Sequence, residues 1–132
     1  MDFRYEENRG EVLEQDVQPE SIGQKLRLMN DADRTFCVLS VSDHLYIQCA
    51  GSADRMIVEM RRAAGDGFRH YAIGHVVEHV EKTGPLRLRT KRERQVSETF
   101  DAAGAEALFL AFAAASDIPP IFTKRDMTDI FA

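Results

Sequence analysis

The chain has 132 residues, 44% of them apolar and 30% charged, which is the size and balance of one globular domain with a single core. No apolar run approaches the roughly 18 residues needed to cross a bilayer. The start MDFRYEENRGEVLEQD lacks the basic head and apolar stretch of a signal peptide, so a single cytoplasmic domain over residues 1–132 with no membrane partner is the expectation.

The net charge of −5 is unevenly placed. Residues 1–20 hold seven acids (Asp2, Glu6, Glu7, Glu11, Glu14, Asp16, Glu20) against Arg4 and Arg9, a net of −5, and the acids and bases beyond them cancel. Such a segment reads first as a solvated, partly flexible terminus over 1–18. The sharper reading makes Glu6, Glu7, Glu11, Glu14 and Asp16 a partner-binding lure, because concentrated charge speeds encounter with a basic surface.

PESIGQKLRLMND (19–31) has Ile22, Leu26 and Met29 at helical spacing and predicts a short helix. The period then changes to two. In TFCVLSV (35–41) and LYIQC (45–49), a three-residue loop Ser42-Asp43-His44 sets Val41 opposite Leu45, Leu39 opposite Ile47 and Cys37 opposite Cys49. All six then share one apolar face. Two reduced, opposed cysteines follow, outside any C-x-x-C motif. The turn clusters GSAD and AAGDG bracket a strand at 55–62, and FRHYAIG (68–74) makes a fourth. Short loops between consecutive strands mean an antiparallel meander.

RLRTKRERQVSETF (87–100) reads as a charged edge strand or loop. Asp101 is a good N-cap for a helix over 102–115, whose stripe is Ala105, Leu108, Phe109 and Phe112. Asp117-Ile118-Pro119-Pro120 ends it. The tail 123–131 predicts one or two more turns, capped by Thr123, with Met127, Ile130 and Phe131 turned inward. The fold class is α+β: an antiparallel meander of four or more strands, with a long C-terminal and a short N-terminal helix packed on one face.

GHVVEHVEK (74–82) contains His75, Glu78 and His79 at the H-x-x-E-H spacing of a class of zinc peptidases. That chemistry needs a helix, because two histidines four apart share a face within chelating distance only at the helical period. Ile73, Val76, Val77 and Val80 fit a helix, yet three valines in five positions fit a strand equally well. In a strand the histidines stand too far apart to hold one ion. A small zinc hydrolase on His75, Glu78 and His79 is therefore the alternative, and His70 reads as a packed or surface histidine. Arg87, Arg89, Lys91, Arg92 and Arg94 form a basic run without interleaved aromatics, which points to a solvated edge strand and to no nucleic-acid partner. No nucleophile elbow and no glycine-rich phosphate loop is present, so no catalytic residue and no cofactor is assigned.

The order of these parts resembles that of the Imm1-like immunity proteins of bacterial polymorphic-toxin systems. FCVLSVSDHLYIQCAGSADRMIVEM is similar to their central run of three short strands. QVSETFDAAGAEALFLAFAAASDIPPIFTKRDM is similar to their strand, covering helix, proline-bearing exit and closing segment, and VQPESIGQKLRLMNDADR to a leading helix. The resemblance implies a non-catalytic protein that occludes a cognate protein toxin, with no catalytic residues to carry over. A structural or oligomeric module, including a homodimer, stays open beside it.

Overall fold

Alternation of apolar and polar residues from 36 to 64 builds the centre of the molecule. The computed structural model describes residues 1–131, which form one eight-stranded sheet and two helices. In chain order the elements are β1 (Asp2–Glu7), β2 (Gly10–Glu14), α1 (Pro19–Arg27), β3 (Phe36–Ser42), β4 (Leu45–Ser52), β5 (Arg55–Ala64), β6 (Gly67–Thr83), β7 (Arg89–Ser97), α2 (Ala102–Ala115) and β8 (Thr123–Asp126). The sheet order is β2-β1-β3-β4-β5-β6-β7, with β8 also paired to β6. Strands β3 to β7 are the antiparallel meander that the short loops require. Because β1 is antiparallel to both β2 and β3, the latter two run parallel, and α1 is the crossover between them.

The core lies between one sheet face and the two helices. Phe3, Leu39, Ile47, Met60, Leu108, Phe109 and Phe112 are fully buried there. Burying each such side chain contributes about 1.5–3 kcal/mol, so this layer fixes which face every strand presents. Helix α2 is capped as its sequence requires: Asp101 Oδ1 accepts from the Gly104 amide at 2.8 Å, and Ser116 closes the far end in the left-handed region. Cys37 is opposite Cys49, both buried and free, and Leu39 is opposite Ile47.

Several expectations change. The N-terminal residues are a hairpin inside the sheet rather than a flexible terminus, since Phe3 and Tyr5 point into the core and β1 lies between β2 and β3. The helix over 19–31 stops at Arg27, though Ile22, Leu26 and Met29 are all buried as its spacing demands. The first β3–β4 pair is Ser42 with Leu45, because a bulge between Ser40 and Ser42 shifts the register. Val41 therefore leaves the apolar face and is 49% exposed. Strand β6 runs on to Thr83, nine residues past the expected end at 74, and pairs with β7 as a two-stranded ribbon.

The tail is not a capped helix. Thr123 begins β8, which pairs with residues 71–74 of β6, and only a single 3-10 turn (Thr128–Ile130) follows. Tyr71 and Ala72 are flanked by β5 and β8 together, so β8 lies on the edge of β6 away from β5. Gly74 sits where β6, β7 and β8 converge. A Cβ there would stand 2.4 Å from Thr123 Oγ1 and 2.8 Å from Val96 Cγ1, and only glycine leaves room for both neighbours.

Candidate functional site

The three residues of the zinc spacing lie in the outer half of β6. Period two puts His75 and His79 on one face and Glu78 on the other. At about 3.3 Å per residue the histidine Cα atoms stand about 13 Å apart, beyond the reach of one ion. His75 Nε2 is 2.9 Å from the Thr99 carbonyl oxygen, which can only accept, so this nitrogen carries the ring proton and donates. His79 is exposed opposite Glu93, and Glu78 lies 3.7 Å from Arg92. Among the described residues no cluster of three or more His, Cys, Asp or Glu could hold a metal ion. The zinc alternative loses its geometry.

The five acids nominated for partner binding sit on or just after the β1–β2 hairpin, but most are engaged within the chain. Glu6 Oε1 accepts from the Thr35 amide at 2.9 Å and from its hydroxyl at 2.7 Å. Glu7 lies between Lys25 and Arg34, at 3.7 and 3.9 Å. Glu14 accepts from the Ser21 hydroxyl and sits beside Tyr5, whose phenol is pushed up to about 12 by burial, with Glu14 adding to it. Glu11 and Asp16 are the two that face solvent, Glu11 beside Arg4 at 3.5 Å.

The helix-free face of the sheet carries the densest arrangement of chemistry. Alternation from the buried Val58 and Met60 turns Ile57, Glu59 and Arg61 outward on β5, and His70 faces the same way across from Arg61. His70 is fully buried because the tail closes over it: the Phe131 ring centroid lies 4.3 Å from the imidazole. The Met127 amide donates to the His70 carbonyl at 2.7 Å, and the His70 amide donates to Thr128 Oγ1 at 3.0 Å. Arg61 Nε can only donate, so His70 Nδ1 at 3.1 Å accepts. The proton therefore sits on Nε2, which donates to Glu59 Oε1 at 2.5 Å. The Arg61 guanidinium also lies over Phe68, 3.8 Å from its centroid, and 5.4 Å from that of Tyr46. Burial raises the Tyr46 phenol above its usual value against the lowering effect of Arg61, which keeps it a neutral hydroxyl.

Every hydrogen-bonding atom of the His70 ring is thus occupied, and the ring is out of reach of a substrate. Beside the network, Phe36, Val38, Gln48, Ala50, Ile57 and Glu59 line an open depression of about 150 Å³. Apolar Phe36, Val38, Ala50 and Ile57 line it together with the polar Gln48 and Glu59. Such a half-apolar depression has the make-up of a surface that can bind another protein. Sequence reasoning missed it because its residues come from four strands, and only the register of those strands brings them together. The outward alternation of Phe36, Val38 and Ile57 was the available signal.

No protein-family model, no curated protein and no solved structure matches the chain.

Proposed function

We propose that this chain is a non-catalytic binding protein of the immunity type, which occludes a cognate bacterial toxin with the helix-free face of its sheet. The reading is supported by one observation: half-buried Phe36 lies with exposed Ala50 and Ile57 beside a Glu59–His70–Arg61 network that is satisfied from within. Apolar anchors over a rigid polar base suit a protein interface, where a few desolvated side chains supply most of the affinity. A catalytic acid or base needs open reach to its substrate, and His70 has none. The net charge of −5 favours a toxin with a basic surface and acts mainly on the association rate.

The test is binding to the toxin domain encoded beside this gene. Combining Ile57→Asp with Phe36→Ala should weaken binding at least tenfold, about 1.4 kcal/mol, without a matching loss of stability. Undiminished binding by that variant would move the interface off this face. Failure of the unaltered chain to bind any neighbouring toxin domain would overturn the immunity reading.

A further inference from the structure

Arg61 sits at the middle of the helix-free face, opposite Tyr46 on β4 and His70 on β6. Its guanidinium carries five N–H donors. The one on Nε goes to His70 Nδ1 at 3.1 Å, and among the described residues those on Nη1 and Nη2 meet no acceptor of the chain. Arg4 and Arg125 share this face, in the row of cross-strand partners that runs through Val38, Gln48, Glu59 and Ala72. Each of them is held by a carboxylate of the chain, Arg4 by Glu11 at 3.5 Å and Arg125 by Glu98 at 2.9 Å. Arg61 is half-buried, and among the described residues it has no such carboxylate.

The head of Arg61 is nevertheless fixed. The rings of Phe68, Phe131 and Tyr46 stand around it, with centroids 3.8, 5.0 and 5.4 Å from Cζ. Behind it, His70 Nε2 donates to Glu59, which leaves Nδ1 to accept from Arg61 Nε. That bond decides which edge of the guanidinium is open. With Nε spent, the open edge is the end-on pair Nη1 and Nη2, whose parallel N–H bonds match the two oxygens of a carboxylate. A side chain held in place before binding loses little freedom on binding, so the contact it makes keeps most of its energy.

Charge narrows the ligand. A group docked on Arg61 also stands near the Glu59 carboxylate, which tolerates one negative charge better than the nearly two of a phosphate. Tyr46 also borders a depression lined by Asp2 and Asp43, which suits the bases of a partner whose surface is basic overall.

We propose that Arg61 is an anchor that clamps one carboxylate side chain of the bound protein partner, an Asp or Glu docked end-on across Nη1 and Nη2. The inference rests on the occluding role of this face and names a group that the face takes. Net charge sets how fast the partner arrives, and a desolvated two-bond ion pair sets how slowly it leaves.

The test is binding kinetics with the toxin domain encoded beside this gene. Arg61→Lys keeps the charge and loses the fork, and Arg61→Met loses both. Each should raise the dissociation rate at least about tenfold and change the association rate less than about threefold. Both variants also release His70, so Thr128→Ala serves as the control: it loosens the tail over His70 and leaves the fork in place. Its dissociation rate should stay within about threefold of the unaltered chain's. Each Asp and Glu of the toxin domain is then changed to Asn or Gln. One such change should cost as much as Arg61→Met, and the two together no more than either alone. If Phe36 and Ile57 matter to binding while both Arg61 variants bind normally, the anchor is overturned and the occluding role stands. An equal loss in Thr128→Ala, or an Arg61 effect that couples to no acid of the domain, also overturns the anchor. Failure of the unaltered chain to bind removes the occluding role, and the anchor with it.

Discussion

Phe3 decides what the acidic terminus is. Its neighbours in sequence are Asp2, Arg4, Glu6 and Glu7, so composition alone describes a solvated tail. Yet Phe3 and Tyr5 alternate with those charges at period two, and both side chains lie in the core with ring centroids 5.4 Å apart. The alternation was legible, but a run of acids hid it. Phe3→Ala should cost about 3–5 kcal/mol in urea unfolding, the range for truncating a buried aromatic. A loss below about 1 kcal/mol would mean that the hairpin is dispensable to the fold. His70 teaches the converse lesson. Its neighbours in sequence say nothing of Glu59 or of the Phe131 lid, and burial of a histidine depends on partners that only the tertiary fold supplies.

Among elements, those with a core face were readable and those without one were not. Strand β4 and helix α2 bury every second or every third to fourth residue, and β3 buries Val38 as well as the alternating Cys37 and Leu39, so their pattern in the sequence is close to the pattern of burial. A bulge leaves no mark in composition, so Val41 was misplaced. The outer half of β6 buries neither face, and its valines fit two periods equally well. Gly74, a turn residue by type, is instead a close approach in mid-strand. Strand β8 (TKRD) has no apolar residue and is held by backbone pairing and ion pairs. Arg125 holds Glu98 through three hydrogen bonds of 2.9–3.2 Å, which lowers that carboxyl.

The loop before β8 is tied down by Asp117, 3.0 Å from Arg62 and 3.3 Å from Lys124. Partial burial pushes the Asp117 carboxyl up, but the Ile118 amide, Lys124 and Arg62 outweigh it, and its pKa ends below the usual value. A carboxyl lowered in the folded state adds stability above its unfolded pKa, and loses that contribution as pH falls through the folded value. Asp117→Asn keeps an acceptor for the Ile118 amide and removes the charge. The variant should be less stable than the unaltered chain at pH 7, by under about 1 kcal/mol because the site is partly solvated. The difference should shrink below about pH 4 and vanish at stronger acid. Urea midpoints measured from pH 7 to pH 2 give the answer, and a gap that widens in acid would contradict it.

At the scale of the whole molecule, one strand belongs to two bodies. Residues 67–74 of β6 lie in the main sheet, paired to β5 and partly to β8, with Ile73 fully buried. Residues 75–83 pair with β7 alone and add no fully buried side chain. Local opening free energy follows buried apolar contact, so the two halves should exchange their amide hydrogens on different scales even though the backbone is continuous. Amides in β3, β4, β5 and residues 69–73 should exchange only on global unfolding. Those of residues 77–82 and 90–95 should exchange at least a hundredfold faster, with a step in protection near His75. Uniform protection along β6 would mean that the ribbon is as stable as the main sheet.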